Sequence, residues 1–234
     1  MSVIDRMQVQ IDAWQEPLDR RIIFLSCYQM MTANMLSAIE TGEFKDGPWV
    51  SGLLHRFADY YFVALDAYNA QQAAPAVWAL TFDASSAPQT GVLQNLLLGV
   101  NAHINYDLVF VLVEILKPVW PDITRQLSEQ RYVDHCHVND IIAATINSVQ
   151  DQVLELYSPS LDLIDKGFGP LDEWAISRLI TRWRDQVWEH AVALMLCVDE
   201  AGYDQRAALV EAQALERANT ILGSGGLHGL LHLA

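Results

Sequence analysis

The sequence predicts an all-α fold, a single-domain bundle of about seven or eight helices over residues 1–234. Apolar residues recur at helical spacing in most segments. Strand signals, which would be alternating β-branched runs bounded by Asn-Gly or Asp-Gly turns, are nearly absent. There is no internal repeat, low-complexity tract or linker, so we expect all the helices to share one domain.

The predicted helices follow one another with short breaks at proline or glycine. They cover residues 3–16, 18–41, 49–70, 91–117, 123–129, 138–157, 171–198 and 205–222. Between the third and fourth lies the segment 71–90, which holds Pro75 and Pro88. It predicts a long connection with one helical turn around Val77–Phe82, and connections of this length often form lids.

The stretch from Gly91 to Lys117 is almost wholly apolar, yet four polar residues lie in its middle, namely Asn101, His103, Asn105 and Asp107. Burying such groups without partners costs about 1–3 kcal/mol each, so they are expected to build a polar network or a site. A membrane span is not expected here, because an aspartate in mid-span alone costs about 3 kcal/mol.

Composition narrows the class of partner. The chain is 52% apolar, and Lys+Arg 14 against Asp+Glu 29 gives a net charge of −15. Nucleic acids and anionic membrane surfaces need a basic footprint, so neither is an expected partner. The segment MSVIDRMQVQ has no basic-then-apolar signal sequence, and the three cysteines form no CxxC motif, so we expect a cytoplasmic protein with free thiols. The sequence is compatible with a homodimer.

Two HxxxD pairs are the first candidate site: His55 with Asp59, and His103 with Asp107. Residues at i and i+4 project from one helix face, so two such pairs that face each other would supply four ligands for a divalent metal such as zinc, iron or manganese. Alternatively, Asp107 orients the imidazole of His103 for acid–base work. The plainer interpretation is a solvated surface pair and a satisfied core histidine.

Two further groups are weaker candidates. One interpretation is that His135 and His137 converge from a loop before a helix; the plainer one, which we favour, is that Asp134 or Asn139 caps that helix. Arg184 lies four residues before Trp188, so it either stacks on the indole or reaches a buried aspartate or an anionic substrate group.

The motif around NAHINYDL resembles the signature GxNAHINxDL of an uncharacterised bacterial helical family with many actinobacterial members. Supporting segments stand in the same order over about residues 20–195 of this chain. They are CYQMMT with Tyr28 and Thr32, residues 48–65, the Trp78 segment, residues 138–140, and Arg184 with Trp188. The resemblance implies that the four polar residues of the motif belong together, and it implies no activity.

We therefore expect an enzyme that acts on a small, fairly apolar molecule in a pocket between helices, either by acid–base chemistry or as a metal-assisted hydrolase. Its predicted catalytic residues are His103, Asp107, Asn101, Asn105 and Arg184. The alternative is a helical binding or scaffold protein in which the motif is a structural network. In the enzyme the polar groups of the motif would line an open cavity, whereas in the scaffold protein they would satisfy one another's hydrogen bonds completely.

Overall fold

The computed structural model describes residues 1–16, 19–149 and 170–223. This part of the chain is helical and contains no strand, which confirms the predicted all-α bundle. The helices are α1 (Val3–Gln15), α2 (Ile22–Glu40), α3 (Gly47–Asn69), α4 (Ala76–Ser86), α5 (Val92–Ala102), α6 (Leu108–Leu116), α7 (Arg125–Val149), α8 (Pro170–Met195) and α9 (Glu200–Gly223). A π-helical turn (His103–Asp107) joins α5 directly to α6, and a 3₁₀ turn (Trp120–Asp122) precedes α7.

Helix starts follow local sequence signals. At α1, Ser2 and Asp5 form a capping box: the Asp5 N–H donates to Ser2 Oγ at 3.1 Å, and the Ser2 N–H donates to the Asp5 carboxylate at 3.0 Å. At α3, Asp46 accepts from the N–H of Trp49 at 3.0 Å, and a proline stands in the first turn, where its missing N–H costs nothing. Both starts thus depend on hydrogen bonds between residues three apart in the sequence.

The connection predicted over 71–90 is interrupted by a helix that is longer than the single turn expected around Val77–Phe82. The structure forms α4 there, and its Val77 and Trp78 are fully buried. Pro75, which the sequence suggested as a helix breaker, instead occupies the N-cap of α4, a position that proline tolerates. Burial of this helix face outweighs the turn signals on either side of it.

The predicted break between 129 and 138 is also absent, because α7 runs without interruption from Arg125 to Val149. Asp134 lies inside this helix and does not cap it. Its carboxylate accepts the backbone N–H groups of Lys45 and Asp46, both at 2.9 Å, and so ties α7 to the start of α3. The predicted continuation over 150–157 and the predicted loop after it lie outside the described residues, except for the start of α8.

The core is organised around the continuous helix made by α5, the π-helical turn and α6. Its first half packs against α2, α4 and α9, and its second half packs against α3 and α8. Large buried side chains fill both halves, among them Trp78 and Tyr61 on one side and Trp183 on the other. A helix that is apolar on all faces is expected in such a central place.

Two helices of the described chain, Ile22–Glu40 and Val92–Leu116, are long and apolar enough to cross a membrane by length and composition. Within the fold, 83% of the most apolar window of the second is buried, and 50% of that of the first. Helices at the core of soluble proteins share this length and composition. The cytoplasmic location therefore stays a prediction.

Gly99 marks the closest approach between α5 and α2. A Cβ built on Gly99 would lie 2.3 Å from Cγ of Phe24, a distance that requires the ring or the helix to move. We therefore expect Gly99→Ala to lower the free energy of unfolding by about 1–3 kcal/mol, measured by urea denaturation. Gly52→Ala is the matched control, because nothing lies within 4 Å of a Cβ there and the helix should gain about 0.5–1 kcal/mol. Equal effects at the two sites would contradict the close packing.

Candidate functional site

Three of the four polar residues of the central motif lie in the π-helical turn, and Asn101 precedes it at the end of α5. The N–H of Leu108 donates to the carbonyl of His103, five residues back, and this wider turn is a feature often found at functional sites. All four side chains are at most 4% exposed. Because residues two apart point to opposite sides of a helix, the four separate into two pairs, and these pairs meet different neighbours.

One pair is His103 with Asp107. Nδ1 of His103 lies 3.0 Å from Oδ2 of Asp107, and both residues are fully buried. The indole N–H of Trp78, on α4, donates to both carboxyl oxygens of Asp107 at 2.9 and 3.0 Å. The sequence predicted the His103–Asp107 contact, but it did not identify Trp78 as a member of the site.

Aromatic rings enclose the imidazole of His103. The ring of Phe57 stacks on it at 3.5 Å between centroids and 5° between planes, and the ring of Tyr28 meets it edge-on at 4.3 Å. The remaining ring neighbours are Phe24, Tyr61 and Trp78 at 5.8, 6.3 and 6.2 Å. Nε2 of His103, buried among them, has no hydrogen-bond partner within the described residues. This orphaned nitrogen is spare hydrogen-bonding capacity in the site.

Burial controls the charge of the pair. It lowers the pKa of His103 well below the usual range, and it raises the pKa of Asp107 well above the usual range, although the Trp78 hydrogen bond opposes this second shift. Both shifts favour a pair without net charge, which holds two protons. One of these protons lies between Nδ1 and Oδ2, and the other sits on Nε2, which is then a hydrogen-bond donor.

The second pair, Asn101 with Asn105, is occupied by the protein itself. The Asn105 amide donates to Oδ1 of Asn101 at 3.0 Å, and the Asn101 amide donates to the backbone carbonyl of Ala214, in α9, at 2.9 Å. These contacts hold α9 against the π-helical turn. Asn101 and Asn105 were predicted as catalytic residues, and in the structure their amides are engaged in contacts within the protein on the side of α9.

The predicted four-residue metal site is not formed. His55 is exposed, and its Nδ1 lies 2.8 Å from the carbonyl of Ser51. Asp59 is half-exposed and forms ion pairs with Arg6 at 3.4 Å and Arg56 at 3.8 Å. Within the described ranges no group of three or more His, Cys, Asp or Glu side chains is placed to hold a metal. The physical reason is orientation: the two i, i+4 pairs do not face each other.

Arg184 belongs to a second buried cluster, between α7 and α8. Its Nη2 donates to the carbonyl of His135 at 2.8 Å and lies 3.3 Å from Nδ1 of that residue, while Nε2 of His135 donates to the carbonyl of Arg184 at 3.0 Å. Burial lowers the pKa of Arg184 to about 10. The structure therefore brings Arg184 to His135, and Trp188 packs on His135 with 5.2 Å between ring centroids.

His137 does not join His135, because both lie inside α7 and point to different sides. Nδ1 of His137 lies 3.1 Å from the carboxylate of Asp140, and its Nε2 lies 3.5 Å from that of Glu43. Neither interpretation of this stretch holds, convergence of the two histidines from a loop or a helix cap, since α7 continues through the segment. Neither histidine contacts the His103–Asp107 pair.

An open pocket of about 640 Å³ lies beside the buried pair, between α3, α6, the segment 73–75 and the first turn of α9. Asp107 lines this pocket, whereas His103 is not part of its wall. The volume falls within the range of small-molecule sites, about 300–1,000 Å³. Of the two residues, Asp107 is thus the one that reaches the wall of the pocket, although it is only 1% exposed.

A model of a family of unknown function matches residues 1–224, a wider range than the 20–195 expected from the motif. No curated protein and no solved structure matches the chain. Tyr28, Phe57, Tyr61 and Trp78, which surround His103, all lie in the segments that carry the resemblance. In the sequence, the resemblance of those segments to the family was the one sign that these residues belong to the site.

Proposed function

We infer the function of this chain from its own residues, because the chain belongs to DUF5995, a family of unknown function. We propose that it is an enzyme that transfers a proton to or from a small, largely apolar molecule bound beside Asp107. One observation carries the proposal: Asp107 lines the pocket while its carboxyl group is hydrogen-bonded to Nδ1 of His103 at 3.0 Å. Titratable groups shifted by burial at a cavity wall are characteristic of acid–base enzymes.

The proposed roles reverse those expected from the sequence. Asp107 exchanges the proton with the bound molecule, and His103 acts through Asp107 as a positioning residue. When Asp107 gives up its proton, the carboxylate that remains keeps the indole N–H of Trp78 as a donor. The aromatic rings around His103 exclude water, which strengthens each of these hydrogen bonds.

A second candidate is a non-catalytic binding or scaffold protein. It is favoured by the chain of amides from Asn105 through Asn101 to the carbonyl of Ala214, which uses half of the motif to fix α9. In that case the His103–Asp107 pair would fix α4 through Trp78 in the same way. Buried polar networks of this kind specify a unique packing.

The test uses an extract of small molecules from bacterial cells, incubated with the protein and followed by mass spectrometry. The variants are Asp107→Asn and Ala67→Trp, which fills the pocket at a lining alanine, with Ala143→Trp on the exposed face of α7 as the control. We expect the wild type and Ala143→Trp to convert the same compound and the other two to leave it unchanged. The scaffold function would be favoured if no compound is converted and Asp107→Asn lowers the melting temperature by several degrees.

A further inference from the structure

The pocket runs along one stripe of α6 and the turn before it. Its wall includes residues spaced 3, 4 and 3 apart, which fall on the same helix face: Asp107, Phe110, Glu114 and Lys117. Ten residues separate the first from the last, a rise of about 15 Å along the helix. The pocket is therefore elongated, with Asp107 at one end and Lys117 at the other.

Between these ends the wall is mostly apolar and aromatic. Rings come from Tyr60, Tyr106, Phe110 and Tyr203, and aliphatic surface comes from α3 and from Val113. Burying an apolar chain against such a wall contributes roughly 25 cal/mol for each Å² removed from water. The middle of the pocket thus favours a hydrocarbon body.

Two of the charged groups at the Lys117 end neutralise each other. Arg56 donates from Nε and Nη2 to the two carboxylate oxygens of Glu114 at 2.8 and 3.0 Å, and the hydroxyl of Tyr60 donates to the same carboxylate at 2.8 Å. These contacts raise the pKa of Arg56 and lower the pKa of Glu114. Neither group is left to attract a charged ligand.

Lys117 differs from Arg56 and Glu114 in that its charge is not neutralised by an ion pair within the described residues. Its Nζ lies 4.8 Å from the centroid of the Tyr203 ring, and no carboxylate of the described residues lies within ion-pair distance of it. An ammonium held over an aromatic ring at the mouth of an apolar pocket retains its three donors for an incoming anion. A single ammonium matches a monoanion, and the net charge of −15 disfavours a dianion such as a phosphate ester.

We infer that the pocket binds an elongated aliphatic monocarboxylate, with the carboxylate on Lys117 and the hydrocarbon chain along α6 toward Asp107. This inference rests on the pocket of the proposed function and names the class of its ligand. The group that reacts would then lie about 15 Å from the carboxylate, which selects molecules by length as well as by charge.

The experiment is a titration, by isothermal calorimetry, with three probes of one chain length: dodecanoate, dodecanol and dodecyltrimethylammonium. We expect dodecanoate to bind the wild type about fivefold or more tightly than the alcohol, and the cation to bind more weakly than the alcohol. Lys117→Gln should remove the preference for dodecanoate and leave the affinity for dodecanol unchanged. Lys45→Gln, at an exposed lysine near the start of α3, is the matched control and should change neither affinity.

The outcomes separate this inference from the proposed function. Equal affinity of the wild type for dodecanoate and dodecanol, with both lost in Ala67→Trp, would overturn the carboxylate assignment and keep the pocket. A preference for dodecanoate that persists in Lys117→Gln would also overturn it. Absence of binding by all three probes would overturn both the ligand class and the pocket as an apolar site.

Discussion

Replacement of Trp78 by alanine is expected to lower the free energy of unfolding by about 5 kcal/mol. Trp78 is fully buried, so the truncation leaves a large cavity, which alone costs about 3–5 kcal/mol. It also removes the donor that satisfies both oxygens of Asp107. Because domains are usually stable by about 5–15 kcal/mol, this loss is about a third or more of the total stability, and urea denaturation followed by far-ultraviolet circular dichroism will measure it.

Trp78→Phe separates the two contributions. The phenyl ring retains most of the packing but lacks the N–H, so we expect a loss of about 1–3 kcal/mol, as for a buried acceptor that loses its donor. In the double variant with Asp107→Ala the two losses should not add, because each change removes the same hydrogen bond. Additive losses would show that the indole N–H does not stabilise Asp107.

The stability of the wild type is expected to fall as the pH rises above about 6.5, by up to about 1.4 kcal/mol per pH unit from the buried pair. The folded-state pKa of Asp107 is raised, so its contribution is present at low pH and is lost above the unfolded value of about 4. The folded-state pKa of His103 is lowered, so its contribution is present above about 6.5 and is lost as the pH falls below it.

The two slopes cancel between about pH 4 and 6.5, and only the Asp107 slope remains above that range. The neighbouring Tyr28 and Tyr61 do not titrate there, because burial raises the pKa of both hydroxyls. The measurement is urea denaturation at a series of pH values for the wild type and Asp107→Asn. Subtracting the stability profile of the variant from that of the wild type removes the contribution of the carboxylates that both proteins contain.

Asp107→Asn should abolish the fall above pH 6.5 and leave a loss below it, to which the buried histidines His103 and His135 both contribute. A difference profile that is flat at every pH above about 4 would have another meaning. It would show that Asp107 is ionised in the folded protein and that Nε2 of His103 carries a lone pair.

The sequence predicted well those features that depend on residues close to one another along the chain. The His103–Asp107 contact spans one helical turn, so the i, i+4 spacing was enough to predict it. The apolar flanks of the same stretch likewise predicted that it is buried. Periodicity determines which face of a helix is apolar, and the all-α fold follows from that.

The sequence pattern could not predict which residues contact the site residues, because these partners are distant in sequence. Trp78 lies 29 residues from Asp107, and the carbonyl of Ala214 lies 113 residues from Asn101. Arg184 and His135 are 49 residues apart. A helical pattern does not specify which element covers a given face, so the metal site drawn from His55 and Asp59 required an orientation that packing did not provide.

The π-helical turn also sets the rotational phase of α6 relative to α5. Each residue of an α-helix turns the chain by about 100° around the helix axis. Deleting one residue between His103 and Asp107 would therefore rotate α6 by about that angle relative to α5. The stripe that ends at Lys117 would then no longer face α3. The number of residues in this segment is therefore as much a part of the pocket as the residues that line it.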